Sequence, residues 1–192
     1  MNKRHFLGAA ALMGAGPALA QPALVRAGGP ALLTLTGAIG KTNRGPFDPA
    51  LDQMMSKQKI QFERAFAFDF AMLASLPAVR IKSTLEYDAK PHLLRGPLLL
   101  DVLAAAGARP ADSARLVLRA VDGYAVTISA EQARRQRFMV ATMLDGKPTP
   151  LGGLGPLWAI ADTEGVPELA AKPLAQRFAD CPWALYHVEV QA

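Results

Sequence analysis

The chain has 192 residues, of which 51% are hydrophobic and 19% are charged, and its formal net charge is +5. Removal of Lys3 and Arg4 with the export signal described below lowers this charge to +3, which is too small and too scattered for the dense basic face of a nucleic-acid-binding protein. Cys181 is the single cysteine, so an intramolecular disulfide is excluded, and we expect a buried, unreactive thiol rather than a metal ligand or a reactive group.

The first twenty residues have the layout of a secretory signal, with a basic start, an apolar core and small residues before Gln21. We therefore predict a signal peptide over 1–20, a flexible lead-in over 21–30 and a single domain over 31–192. Lys3-Arg4 also resembles the twin-arginine export signal, which leaves the export route open. No later stretch approaches the ~20 apolar residues of a transmembrane helix. The mature chain is thus expected in the periplasm or outside the cell, without a membrane-spanning segment.

The first half of the domain contains two alternating segments and two helix starts. Residues 32–39 alternate Leu and Thr, which predicts a half-buried strand that ends at Gly37. Asp48-Pro49 predicts the start of a short helix, and Asp69 is expected to cap a second one. Residues 78–87 alternate again, giving a strand that carries Ser83 and Thr84 to its far end, and His92 is expected in the loop that follows.

The second half starts with a helix led by Gly96 and then becomes rich in strands. Residues 116–129 flank Asp122-Gly123 with alternating segments, which predicts a β-hairpin with a two-residue type I′ turn. A buried strand, a turn at Asp145-Gly146 and a closing strand with a bulge near Leu185 follow. Short strands interleaved with helices at irregular intervals favour an α+β fold with mixed or antiparallel sheets and a few packed helices.

The order of these motifs resembles a known family. Five motifs carry the resemblance: TGAI (36–39), GPLLLDVLAAAGA (96–108), the hairpin around DGY (122–124), GPLW (155–158) and a final W-x-L-x-x-V-E-V strand (183–190). They occur in the order found in the sulfite-oxidase-like molybdopterin-binding oxidoreductases, and they are most similar to the small exported members of that family. The resemblance implies that family's α+β fold and a molybdopterin cofactor. In the larger enzymes of the family, one cysteine thiolate ligates the molybdenum.

That cysteine would lie at the strand end before the Gly-led helix, four residues ahead of an aromatic residue. Counting back from Tyr87 reaches Ser83, whereas counting back from Gly96 reaches Thr84, and neither is a cysteine. A hydroxyl stays protonated at neutral pH and is a much poorer ligand than a thiolate, so the protein is not expected to hold the metal by the family's route. Cys181 lies at the other end of the sequence, and no His, Cys and carboxylate grouping has zinc-like spacing.

The sequence leaves two functions open. The first is an exported domain that either binds a pterin-like or small anionic ligand without the family's metal chemistry, or retains a redox role in which only the pterin holds the metal. The second is a periplasmic interaction or sensory module on the same scaffold, with a membrane-bound redox or signalling partner. The residues predicted to line a surviving cofactor pocket are Ser83, Thr84, Tyr87, His92, Arg119 and Tyr124.

Overall fold

The computed structural model describes residues 28–192. The predicted signal peptide and most of the predicted lead-in lie outside the described residues. The strands are β1 (Leu33–Gly37), β2 (Ala65–Phe68), β3 (Ala78–Thr84), β4 (Pro91–Pro97), β5 (Arg115–Ala120), β6 (Ala125–Ser129), β7 (Met139–Ala141), β8 (Met143–Leu144), β9 (Lys147–Pro148), β10 (Trp158–Ile160) and β11 (Leu185–Gln191). The helices are α1 (Gln53–Lys57), α2 (Phe70–Ala74), α3 (Leu99–Ala105), α4 (Ala130–Arg135) and α5 (Pro167–Ala170), followed by a 3₁₀ turn at Leu174–Gln176.

The described strands form three sheets. The five-stranded sheet has the order β2-β1-β11-β5-β6, the four-stranded sheet has the order β3-β4-β8-β9, and β10 pairs with β7. All pairs are antiparallel except β1 with β11, whose parallel pairing makes the largest sheet mixed. The α+β class with mixed and antiparallel sheets is therefore confirmed.

The parallel pair β1–β11 joins the two ends of the described chain at the centre of the largest sheet. Thr34 is the register partner of His187, and Gly37 that of Val190. Leu33, Leu35 and Val188 are fully buried in the main core between the sheets and helices. The predicted bulge near Leu185 is present, because the register with β5 shifts between Leu185 and His187.

The segment after β3 differs from the prediction. His92 lies in strand β4 rather than in a loop, directly opposite Ser83 in the β3–β4 hairpin. Pro91 opens this strand, a position where its missing N–H is tolerated, and Pro97 closes it. Gly96 is required because a Cβ there would lie 1.9 Å from the carbonyl oxygen of Val140. Close packing of two backbones thus explains the glycine that precedes α3.

The β5–β6 hairpin is confirmed, but its turn is not the predicted type I′. Gly123 has a positive φ of 94°, whereas Asp122 does not, and a type I′ turn needs both central residues in that region. The loop instead runs from Val121 to Tyr124, and the Tyr124 backbone N–H donates to Asp122 Oδ1. The type I′ pattern occurs at the other predicted turn, where Asp145 and Gly146 have φ values of 49° and 78°.

Of the two helix starts predicted in the first half of the domain, one is confirmed and one is wrong. Asp69 caps α2 as predicted, because its side chain accepts a hydrogen bond from the Met72 backbone N–H. The predicted start at Asp48-Pro49 was wrong, since α1 begins only at Gln53. Asp48 caps a separate turn by accepting from the Ala50 backbone N–H. Among residues 28–192, no helix has the length and apolar character needed to cross a bilayer.

Candidate functional site

A cavity of about 330 Å³ lies where three loops meet. The β3–β4 hairpin loop contributes Glu86 and Tyr87, the β5–β6 hairpin loop contributes Asp122 and Tyr124, and the segment before β11 supplies the remaining wall. That wall consists of Ala175, Phe178, Ala179, Cys181, Pro182 and Trp183, and Ala120 completes the lining. Its volume is within the range of ordinary small-molecule sites, which is roughly 300–1,000 Å³.

The cavity lining combines aromatic rings with carboxylates. Four of the residues are aromatic, and the two charged ones are both acidic, Glu86 and Asp122. No lysine or arginine is among the described residues that line the cavity. The site therefore has a negative electrostatic potential and offers acceptors rather than positive charges to a ligand.

Tyr87 and Tyr124 stand at the mouth of this cavity and are 57% and 50% exposed. Burial raises the pKa of Tyr87, and the neighbouring Glu86 carboxylate raises it further, so this phenol is protonated at neutral pH. The Tyr124 hydroxyl donates to the Ala179 carbonyl oxygen at 2.6 Å, which ties the β5–β6 loop to the far wall. The cavity thus has two half-exposed phenol rings in its lining.

The thiol of Cys181 belongs to the same region, although it lies far from β3 in sequence. The residue is 4% exposed, and its sulfur accepts a hydrogen bond from the Ala161 backbone N–H at 3.5 Å. Burial raises the pKa of this thiol to about 12. The predicted buried thiol is confirmed, and it is protonated at neutral pH.

The two residues at the predicted ligand position do not enter the cavity. Ser83 is fully buried, and its hydroxyl is hydrogen-bonded to the buried hydroxyl of Thr163 at 2.5 Å. The backbone N–H of Thr84 donates to Glu164 Oε1 at 2.6 Å. Hydrogen bonds from Thr84, that of its side chain first and that of its backbone after it, lower the pKa of Glu164. Both positions are thus occupied by hydrogen bonds to the 162–165 loop.

His92 is engaged on both sides of its ring. Nδ1 lies 2.6 Å from Asp145 Oδ2, and Nε2 lies 3.0 Å from Asp88 Oδ2. These hydrogen bonds, that of Asp145 first, raise the pKa of His92. The hydrogen bonds of His92 therefore connect the β3–β4 loop to the β8–β9 turn. Both ring nitrogens are engaged, so neither is free to bind a metal.

Arg119 lies on the opposite side of its strand from the cavity. One of its guanidinium nitrogens donates to His187 Nδ1 at 3.1 Å, and another lies 2.8 Å from Glu189 Oε2. Because arginine can only donate, His187 Nδ1 is the acceptor and Nε2–H donates to Thr36 Oγ1. Burial, together with the nearby Arg119 charge, lowers the pKa of His187 to about 3. This is a structural network of the central sheet.

The structure thus separates the six predicted site residues. Tyr87 and Tyr124 share the cavity, whereas Ser83, Thr84, His92 and Arg119 take part in contacts elsewhere. The other nine residues of the cavity lining were not predicted from the sequence, among them Glu86, Asp122, Cys181 and Trp183. Glu86 and Asp122 lie within two residues of Tyr87 and Tyr124, so the same motifs could have predicted them. Cys181 and Trp183 are brought in only by the fold.

Among solved structures, the chain is similar to sulfane dehydrogenase SoxCD from Paracoccus pantotrophus. The TM-score is 0.53 at 13% sequence identity, over 83% of this chain and 37% of that one. The two proteins share a fold. The likeness supports the predicted sulfite-oxidase-like fold as a distant relationship, and at this identity it shows the fold alone. This chain spans well under half of the length of the SoxCD chain. No family model and no curated protein matches the sequence.

The residues present do not fit a metal-bearing pterin cofactor held in the family's way. Neither residue predicted for the ligand position is a thiol: the Ser83 hydroxyl is buried and paired with Thr163, and the Thr84 backbone is bound to Glu164. The Cys181 thiol is buried and accepts a hydrogen bond from Ala161 N–H. The cavity presents two carboxylates and no cation to an anionic ligand. Within the described residues, no group of three or more His, Cys, Asp or Glu side chains converges on a metal position.

Proposed function

We propose that this chain is a small-ligand-binding domain on a sulfite-oxidase-like fold. Its ligand is a flat nitrogen heterocycle of the pterin kind, uncharged or cationic, and it binds without the metal ligation of the family's larger enzymes. The observation that supports this proposal is the cavity lining, in which aromatic rings and two carboxylates occur together without a lysine or arginine.

The aromatic residues account for a flat ligand. Tyr87 and Tyr124 expose about half of their surface, and Trp183 also lines the cavity. Offset stacking of a ring on such side chains contributes about 0.5–1.5 kcal/mol beyond the buried area. If the ring is positively charged, the aromatic faces attract it further.

The carboxylates account for the nitrogen content of the ligand. Glu86 and Asp122 come from two different loops, so a ligand between them can donate to both. The pyrimidine edge of a pterin presents an amino group and a ring N–H, which pair with a carboxylate. A hydrogen bond to a charged acceptor typically contributes about 1.5–3 kcal/mol. A phosphate or carboxylate ligand would be repelled by the same two groups.

Tryptophan fluorescence tests the proposal directly. The chain has two tryptophans, of which Trp158 is 1% exposed, whereas Trp183 lines the cavity. Titration of the purified protein with pterin should quench emission saturably, and inorganic phosphate should not. Glu86→Gln and Asp122→Asn should each weaken pterin binding about tenfold, because each removes one charged acceptor.

The matched control is Glu63→Gln, which neutralises an exposed carboxylate outside the cavity. This variant should bind pterin as the wild type does. Equal pterin affinities of the wild type, Glu86→Gln and Asp122→Asn would show that this cavity is not the pterin-binding site. Saturable binding of phosphate at the same site would contradict the chemical class.

Export is part of the proposal, together with a membrane-bound redox or signalling partner. Expression of the full chain in a Gram-negative host should give periplasmic protein whose N-terminal residue is Gln21, as determined by mass spectrometry. In a molybdenum-replete host, the same purified protein should contain far less than one molybdenum per chain. Stoichiometric molybdenum would instead show that the family's cofactor is held by a route other than the Ser83 position.

A further inference from the structure

Two arginines face each other across the outer surface of the β3–β4 hairpin. Arg80 and Arg95 are register partners on neighbouring antiparallel strands, and both are exposed. Side chains directly opposite each other share one face, with Cβ atoms roughly 4.5–5.5 Å apart. Like charges directly opposite each other destabilise a sheet, so a negative charge bound between these two arginines would stabilise it.

Within the described part of the chain, no carboxylate forms an ion pair with either arginine. The ion pairs there involve other cations, such as Arg44 with Asp52 and Arg119 with Glu189, and none includes Arg80 or Arg95. Lys82 lies two residues from Arg80 on the same face of β3, and its charge interacts with the Glu164 carboxylate, which leaves the Arg80–Arg95 pair without an ion-pair partner among the described residues.

The pair borders a cavity that is distinct from the aromatic one. It has a volume of about 370 Å³ and is lined by Arg80, Leu93, Arg95, Met143 and Gly146. None of these residues lines the cavity of Tyr87 and Tyr124. Leu93, which is 45% exposed, and Met143 give it an apolar floor next to the two guanidinium groups. The surface thus combines two planar cations with uncovered apolar area.

We propose that this surface, the arginine pair site, binds a small oxyanion that carries an apolar group. A guanidinium group presents parallel N–H donors that match two oxygens of a phosphate, sulfate or carboxylate. Two opposed guanidinium groups suit a doubly charged head such as a phosphate monoester, and Leu93 and Met143 cover the apolar part. A free organic phosphate and a lipid headgroup share this chemistry. The inference goes beyond the proposed function and uses a different part of the molecule.

Isothermal titration with phenyl phosphate at low ionic strength tests the site. The wild type should bind one equivalent. Arg80→Gln and Arg95→Gln should each weaken binding about tenfold, because each removes a charge-assisted contact. Added salt should weaken binding in the wild type. Arg115→Gln, which removes an exposed arginine from β5, is the matched control and should leave the affinity unchanged.

A second measurement does not depend on the ligand. Removal of one member of the like-charge pair should raise the thermal midpoint of the free protein in Arg95→Gln but not in Arg115→Gln. Glu86→Gln, which affects the aromatic cavity, should bind phenyl phosphate as the wild type does, so failure of either proposal is recognised separately. Undiminished binding by the Arg80→Gln/Arg95→Gln double variant would overturn the assignment. Binding to phosphatidylglycerol vesicles but not to phenyl phosphate, lost in the double variant, would support the site and identify the lipid headgroup as the source of the oxyanion.

Discussion

The hydroxyl groups of Ser83 and Thr163 are hydrogen-bonded to each other at 2.5 Å, although they are 80 positions apart in the chain. Both side chains are inaccessible to solvent. Ser83, one of the two residues predicted at the ligand position, therefore connects the end of β3 to the 162–165 loop. The aromatic cavity opens a few residues further along, at Glu86 and Tyr87.

Ser83→Ala should destabilise the protein by about 1–3 kcal/mol, because the buried Thr163 hydroxyl loses its partner. Urea unfolding followed by circular dichroism measures this change. Ser56→Ala, at an exposed position in α1, is the control and should change the stability by less than about 0.5 kcal/mol. Equal stability of the Ser83→Ala variant and the wild type would show that the hydroxyl pair is not formed in solution.

Gly96→Ala should be among the most destabilising single-methyl additions. The new Cβ would lie 1.9 Å from the Val140 carbonyl oxygen and 2.9 Å from the Ala141 Cα, both of which are backbone atoms that cannot move aside independently. We expect a loss of about 3 kcal/mol or failure to accumulate as folded protein. At Gly45 an added Cβ meets nothing within 4 Å, so Gly45→Ala should be nearly neutral. A neutral Gly96→Ala would contradict the close approach of β4 and β7.

His92 should titrate above its ordinary pKa of 6.5, because the Asp145 and Asp88 carboxylates favour its charged form. Since the pKa is raised in the folded state, this stabilisation is fully present below pH 6.5 and is lost as the pH rises through the folded-state pKa. Asp88 and Asp145 have pKa values below their ordinary 3.8. The stabilisation that these two carboxylates contribute is therefore present above pH 3.8 and is lost as the pH falls through their folded-state pKa values. NMR titration of the imidazole protons measures the shift.

Asp145→Asn should move the His92 pKa back toward 6.5 while leaving His187 uncharged, since the pKa of His187 lies at about 3. A His92 pKa at or below 6.5 in the wild type would contradict the three-residue arrangement.

The Cys181 thiol should be unreactive in the folded protein. Burial raises its pKa to about 12, so almost no thiolate exists at pH 8. Reaction with a disulfide reagent should be at least about a hundredfold slower than in the urea-unfolded chain, which serves as the control. Rapid modification of the native protein would show that the thiol is accessible from the cavity.

Local sequence determined the features whose energetics are local. The Asp69 cap, the β5–β6 hairpin, the Gly96-led helix and the α+β class all follow from side-chain spacing and turn residues within a few positions. Even there, the type of turn at Asp122-Gly123 was decided by the side-chain hydrogen bond to Tyr124, which composition alone does not reveal.

Only the tertiary structure decided where the site lies. Tyr87 and Tyr124 were predicted from motif order, but Trp183 and Cys181 join them because the chain before β11 returns to the β3–β4 loop. The parallel pairing of β1 with β11 and the contact of Ser83 with Thr163 depend in the same way on long-range packing. Such contacts form when distant apolar surfaces are buried together, and the free energy of that burial depends on the whole fold rather than on any local pattern.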